Sequence, residues 1–151
     1  MLTPDGPRVL EFNCRFGDPE SQAILPRLEG DLLQGLAAAA SGSLTGAELT
    51  TADDAAVTVV LASPGYPDSP RAGSAIAGVG KAEGTGALVF HAGTALRGNH
   101  LVSAGGRVLN VTGLGASLAE ARERAYRAVE LLDFPDALYR RDVAARVSVH
   151  A

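Results

Sequence analysis

The chain has 151 residues, 46% of them hydrophobic, 20% charged and 5% aromatic, with no tryptophan, the balance of a globular protein whose core must come from Val, Leu, Ile and Ala. Its formal net charge of -4 opposes broad attraction to nucleic acid or anionic lipid and points to a small-molecule substrate. No run approaches the roughly 18 apolar residues of a membrane span, and residues 1–8 lack a signal-peptide shape, so a cytoplasmic protein is expected; with Cys14 as the sole cysteine, neither an internal disulfide nor a cysteine-based zinc cluster can form.

In chain order, Thr3-Pro4-Asp5-Gly6-Pro7 is dense in turn residues, and Arg8-Val9-Leu10-Glu11-Phe12-Asn13 after it predicts a strand. A turn ahead of a strand implies an earlier partner, and only Met1 and Leu2 stand there, so the chain is expected to open inside a hairpin. Asp18 is placed to cap a helix, with Pro19 at its first position, Ala23, Ile24 and Leu28 spaced for a buried face, and Pro26 interrupting it. A second helix fits residues 31–40, with Leu32, Leu33, Leu36 and a run of alanines, ended by Ser41-Gly42. Residues 42–54, rich in Gly, Thr, Ser and Asp, read as a linker between two units.

The period then becomes that of strands. Residues 56–61 are nearly continuous β-branched and apolar residues, broken by the rigid loop Pro64-Gly65-Tyr66-Pro67-Asp68-Ser69-Pro70. Shorter strands fit residues 74–79, 87–91, 100–103 and 107–112, the last two facing each other as a hairpin across Ala104-Gly105-Gly106. Ser117-Leu118-Ala119-Glu120 is a capping box, and Leu118, Ala121, Ala125, Ala128, Val129 and Leu132 draw one apolar stripe along a helix to about Asp133, before Pro135. Tyr139-Arg140-Arg141-Asp142 reads as a polar tail.

On a strand, Glu11 and Asn13 share a face, while Leu10 and Phe12 take the other. A carboxylate and an amide carbonyl so placed can both reach one Mg²⁺, which prefers hard oxygen ligands and completes its shell with phosphate and water; the plainer alternative is the polar face of an edge strand. Cys14 points away from that face and reads as core. No Ser, His and Asp grouping supports hydrolase chemistry, and His91, His100 and His150 are too scattered for a zinc site. Gly78-Val79-Gly80 and Gly113-Leu114-Gly115 complete neither nucleotide-loop pattern.

The run Glu11-Phe12-Asn13-Cys14-Arg15-Phe16-Gly17-Asp18-Pro19-Glu20 closely resembles that of phosphoribosylamine–glycine ligases. The resemblance continues in the family's order through Gln22, Leu25-Pro26-Arg27-Leu28, Asp31-Leu32, Gly65-Tyr66-Pro67, Phe90-His91-Ala92-Gly93-Thr94, Gly105-Gly106-Arg107-Val108-Leu109, Val111-Thr112 and Tyr139-Arg140-Arg141-Asp142. It implies that Glu11 and Asn13 bind the Mg²⁺ (or Mn²⁺) that bridges the phosphates of ATP, the co-substrate. It implies a reaction in which ATP phosphorylates the carboxylate of glycine and the amine of 5-phosphoribosylamine attacks the glycyl phosphate, giving glycinamide ribonucleotide. Arg15, Gly17 and Asp18 then lie at the substrate end of the site: Arg15 to grip a carboxylate or phosphate, Gly17 to give the turn its freedom, Asp18 to fix the loop as a cap. An ion pair of Arg15 with Asp18 or Glu20 is the structural alternative. His91 reads equally as a substrate neighbour from the second unit or as a hydrogen-bonded structural histidine. No residue here is assigned as a nucleophile or acid–base catalyst.

The expected fold is α+β: residues 1–42 as the last strand and helices of an ATP-grasp domain, and residues 43–151 as a small β-rich domain with a capping helix, resembling the C-terminal domain of biotin carboxylases. The family's ATP-holding segments lie upstream of its E-x-N strand, so this chain is expected to be a C-terminal portion, inactive alone. Its exposed strand is expected either to self-associate through residues 1–40 or to leave them poorly ordered, while residues 55–133 stay compact. The competing class is a stand-alone β-rich interaction module derived from the ligase, which an adjacent reading frame encoding the ATP-holding part would argue against.

Overall fold

The computed structural model describes residues 1–46 and 48–145. The chain opens with a tight hairpin, β1 (Leu2–Thr3) against β2 (Gly6–Pro7), closed by reciprocal backbone bonds between Met1 and Arg8. Thr3 Oγ1 donates to the Gly6 carbonyl at 2.7 Å across the turn. The expected hairpin is present, but its second arm ends at Pro7, and the strand predicted over residues 8–13 does not form. Alternation supplies two faces, yet a strand exists only where a neighbour takes its N–H and C=O groups, and past Arg8, which bonds to Met1, no ladder among the described residues takes those of residues 9–13. With nothing packed on this run, Leu10 is 74% and Phe12 83% exposed. Cys14, expected in the core, is exposed for the same reason.

Helix α1 (Glu20–Ile24) passes into a 3₁₀ turn over Leu25–Arg27, where Pro26 cannot supply the next helical N–H. Asp18 is not its cap: Pro19 holds the N-cap position, and no side chain caps the helix. Ile24, expected on a buried face, is exposed, because this short helix turns Gln22 rather than Ile24 toward the sheet described below. Strand β3 (Leu28–Gly30) follows, then α2 (Leu32–Ala40), whose cap is Asp31, its carboxylate accepting from Gln34 N at 2.9 Å. Residues 42–54 are more than a linker, since β4 (Leu49–Thr51) pairs antiparallel with β3. Leu49 also packs on α2, its Cδ1 lying 2.8 Å from where a Cβ on Gly35 would stand.

Strand β5 (Ala55–Ala62) matches its apolar run. Where one strand was expected over residues 74–79, the chain forms β6 (Ala75–Ile76) and then a short helix, α3 (Val79–Glu83), entered through left-handed Gly78 at φ 83°. Strands β7 (Leu88–His91), β8 (Thr94–Arg97), β9 (His100–Ser103) and β10 (Arg107–Gly115) lead to α4 (Leu118–Glu130). The Ser117 half of the predicted capping box is there, its Oγ accepting from Glu120 N at 3.2 Å, while Glu120 Oε2 reaches one residue further back and accepts from Ala116 N at 3.1 Å.

Strands β9 and β10 do not form the expected hairpin. They belong to different sheets, ordered β6-β9-β8 and β5-β10-β7, and Ala104-Gly105-Gly106 carries the chain from one to the other. Strand β10 is the centre of its sheet, antiparallel to both neighbours, and residues directly opposite one another share a face. On one face Leu109 and Val111, with Val57, Val59 and Leu61, pack on Ala121, Ala125, Ala128 and Val129 of α4. Alanines on the helix and Gly113 on the strand bring the two backbones close; a Cβ on Gly113 would run into the Ala121 carbonyl and the Ala125 amide. Asn110 and Thr112 point the other way with Thr58 and Val60, toward residues 18–25.

The expected polar tail is docked. Leu138 forms an antiparallel bridge with Ala62, and Asp133 one with Ala77. Tyr126 Oη donates to the Arg140 carbonyl at 2.7 Å, and the Arg122 guanidinium donates to the carbonyls of Arg141 and Val143. No helix among the described residues is long and apolar enough to cross a membrane.

Packing at the two helices separates two glycines. Gly113→Ala should lower unfolding free energy by about 3 kcal/mol or more, because backbone would have to move to admit the methyl. Gly80→Ala, inside α3 with open space around its Cβ, should be neutral or raise stability by about 0.5 to 1 kcal/mol. Chemical denaturation of both variants checks the contrast.

Candidate functional site

Residues 11–16 leave the hairpin exposed and without regular structure, with a bend at Arg15, and the chain meets the sheet at Asp18. Glu11 and Asn13 do stand side by side, with Asn13 Nδ2 donating to Glu11 Oε1 at 3.3 Å. Both are exposed. Their donor chemistry suits two places in a Mg²⁺ shell, since a half-turn of the Asn13 amide would present its oxygen beside the Glu11 carboxylate. No group of three or more His, Cys, Asp or Glu able to hold a metal occurs among the described residues.

Arg15 forms no ion pair with Asp18 or Glu20; its Nη1 donates to the Phe16 carbonyl at 3.4 Å and the head group is exposed. Gly17 is buried, and its carbonyl accepts from Ser21 N at 2.9 Å and Ser21 Oγ at 2.6 Å, which begins α1 without a capping side chain. Its backbone is not left-handed, so glycine supplies room rather than turn freedom: a Cβ here would strike the Glu20 carboxylate.

Asp18 is the junction. Its Oδ1 accepts from Gln22 Nε2 at 3.1 Å and from Asn110 Nδ2 at 3.2 Å, and its Oδ2 meets Arg107 Nη2 at 3.3 Å. The Arg107 pair is part-exposed and worth about 0 to 1 kcal/mol, whereas the Asn110 amide reaches Asp18 from a strand position that is 0% exposed. One turn on, Thr112 Oγ1 donates to the Gln22 carbonyl at 3.0 Å and shares a 2.7 Å hydrogen bond with Thr58. This face of the sheet is thus a polar seam. Asn110 Oδ1 and Gln22 Oε1 are buried in it with no hydrogen-bond partner among the described residues, an arrangement that costs about 1 to 3 kcal/mol per group.

On one flank of the seam lies a groove of about 470 Å³, walled by Pro19, Val60, Ala62, Tyr66, Arg107, Leu138, Tyr139 and Arg140. The Tyr66 ring rests on Gly106, where a Cβ would come within 2.6 Å of it, and Gly65, at φ 86°, holds the turn that presents the ring. Arg140 grips Asp142 through two bonds, Nε to Oδ1 at 2.8 Å and Nη2 to Oδ2 at 2.5 Å, which raises its pKa further above the ordinary guanidinium value. On the other flank a hollow of about 410 Å³ lies between Ser21, Gln22, Leu25, Pro26, Leu88 and Phe90.

The structure therefore brings Asp18, Tyr66, Arg107, Tyr139 and Arg140 together from four separate stretches of sequence. His91 Nδ1 is hydrogen-bonded to Thr94 Oγ1 at 3.1 Å and the residue is exposed; His100 is exposed on β9, and His150 lies outside the described residues. Asn110 was not singled out by sequence reasoning. Its signal was there, as the lone amide in the apolar run Val108-Leu109-Asn110-Val111 of a strand that must be buried on both faces.

Architecture and site together define a small mixed α/β unit that presents an acidic and amide-bearing run from a polar sheet face. The model for phosphoribosylglycinamide synthetase, C domain, matches residues 56–146, and the chain belongs to that family. It is 51% identical over 143 residues to the phosphoribosylamine–glycine ligase of Mesorhizobium japonicum, covering 95% of this chain and 34% of that protein. It is 50% identical to the ligase of Streptomyces coelicolor, covering 97% and 36%, and 48% identical to the trifunctional purine biosynthetic protein adenosine-3 of Gallus gallus, covering 97% and 15%. The crystal structure of the Thermotoga maritima ligase superposes with a TM-score of 0.74 at 37% identity, covering 95% of this chain and 35% of that one. The chain spans about a third of the length of the bacterial ligases it matches.

With only two neighbouring oxygen donors, both exposed, the 151-residue chain should hold Mn²⁺ no more tightly than about 1 mM. Electron paramagnetic resonance of free Mn²⁺ during a titration measures this directly.

Proposed function

We propose that this chain serves as the C-terminal portion of an ATP-dependent ligase that joins glycine to 5-phosphoribosylamine, giving glycinamide ribonucleotide for purine synthesis in the cytoplasm. One observation carries the reading beyond family membership: the run from Glu11 to Asp18 is tied to β10 of the matched domain through Asn110 and Arg107. In this reading residues 1–42 end an ATP-grasp domain, and residues 43–151 form the β-rich domain that resembles the end domain of biotin carboxylases. ATP is held mainly by the two thirds of the relatives' length that this chain does not match.

Glu11 and Asn13 would hold a Mg²⁺ or Mn²⁺, which when bound neutralises phosphate charge during phosphoryl transfer. The chain's own contribution is positional. Glu11 offers a negative oxygen and Asn13 a neutral one from a single run. Arg15, free of any carboxylate, is open to take the carboxylate of glycine or a phosphate with its forked guanidinium. Gly17 and Asp18 shape the substrate end of the loop, Gly17 by leaving space and Asp18 by fixing the backbone to the sheet. By itself the 151-residue chain self-associates through residues 1–40, where Leu10, Phe12 and an unpaired backbone are exposed.

The test is a chimaera in which this chain replaces the matching third of the M. japonicum ligase. It should release ADP in a manner dependent on glycine and phosphoribosylamine, and the 151-residue chain alone should stay at the no-enzyme rate. In the chimaera, Glu11→Gln and Asn13→Leu should each lower kcat at least about tenfold with little change in the KM for glycine. Wild-type rates for both variants at limiting Mg²⁺ would remove the metal assignment. Light scattering on the 151-residue chain should show mass rising with concentration, and a strict monomer would overturn the association.

A further inference from the structure

We infer that Asn110 is a positioning residue for the ligase reaction, acting through Asp18 to set where the Glu11 to Asp18 run leaves the sheet; this rests on the function proposed above. Asn110 sits mid-strand in β10, between Val60 of β5 and Phe90 of β7, with its side chain 0% exposed. An apolar side chain would suit such a position better if packing were all that mattered, because the amide buries an oxygen, Oδ1, that finds no partner among the described residues. What the amide obtains in return is one contact: Nδ2 to Asp18 Oδ1, joining residues 92 apart in sequence.

Three features make that contact the anchor of the run. Asp18 is the first residue after the exposed stretch 8–16 and the buried Gly17, so its place on the sheet fixes the point from which Arg15, Asn13 and Glu11 extend. The same Oδ1 takes a second amide, Gln22 Nε2, whose own backbone carbonyl is held by Thr112, so the first turn of α1 and the carboxylate are fixed to neighbouring positions of one strand face. The remaining partner, Arg107, meets Oδ2 in a part-exposed pair open to screening by salt, which leaves the buried amide as the directional element. With donors on both carboxylate oxygens, Asp18 is held in place on the sheet.

The experiment uses a reciprocal exchange. In the 151-residue chain, Asn110→Leu and Asn110→Asp should speed hydrogen exchange at the amides of residues 17–22 about tenfold while β5 and α4 stay as protected as in the parent. The double variant Asp18→Asn with Asn110→Asp restores a carboxylate facing an amide but leaves Arg107 and Gln22 facing a neutral group, so it should recover part of the protection that Asn110→Asp loses. In the chimaeric ligase, Asn110→Leu and Asn110→Asp should each lower kcat at least about tenfold with the KM for glycine within about threefold, and the double variant should recover part of the loss seen in Asn110→Asp. Because a loss of folded enzyme alone lowers apparent kcat at unchanged KM, kcat is referred to folded enzyme, and a defect confined to global stability would speed exchange in β5 and α4 along with residues 17–22. Unchanged exchange at residues 17–22 in both single variants, or no recovery in the double variant, overturns the anchor. If Glu11→Gln lowers kcat and Asn110→Leu does not, the positioning role fails while the ligase reading stands. If the unsubstituted chimaera releases no ADP with glycine and phosphoribosylamine, the ligase reading falls, and with it the positioning role, whereas the exchange measurements still decide whether Asn110 anchors the run.

Discussion

The structure depends on a single strand having two covered faces. Strand β10 has a neighbour on each side and a layer above and below, so each side chain along it must find a partner that matches it. Toward α4 the match is apolar: Val and Leu against alanines, brought to backbone distance by Gly113. Toward residues 18–25 it is polar: Asn110 and Thr112 against Asp18 and Gln22. The apolar face stabilises the unit, and the polar face decides which segment may lie on it and in what register, since hydrogen bonds have direction and dispersion does not.

That division explains what could be read in the sequence. Strand β5, α2 and α4 were legible because their signals are local: a β-branched run, an Asp cap before leucines and alanines, a capping box with a stripe at helical spacing. The chemical run was legible as residue types, and Glu11 and Asn13 do lie together. Helix α3 was hidden because Gly78 and Gly80 argue against helix, although Gly78 is the left-handed residue through which it is entered. Strand β4 was hidden because Leu49–Thr51 gains its identity only from β3, which lies across α2 in the chain.

The two misread strand pairings have one cause. Residues 8–13 carry the alternation of a strand, and residues 100–112 the outline of a hairpin, but pairing belongs to the partner as much as to the segment. Cys14 followed the same error, since its assignment to the core assumed a layer on the far side of that strand. Asp18 was given the wrong contact. Its carboxylate spans to β10, a distance in sequence that no local capping rule can see.

Where the chain passes between the two three-stranded sheets, Gly93 and Gly105 meet. A Cβ on Gly93 would lie 2.8 Å from Gly105 Cα and 2.6 Å from the Arg107 carbonyl, and one on Gly105 would lie 3.1 Å from Gly93 Cα. Backbone bonds cross the same point, from Gly93 N to Arg107 O at 2.9 Å and from Ala104 N to Gly93 O at 2.7 Å. A crowded contact between side chains can be relieved by trimming either one. Here both partners are already bare, so no second-site change within the crossing can absorb a larger residue, and the joint between the sheets has a sequence tolerance of its own, set by two main chains rather than by any side chain.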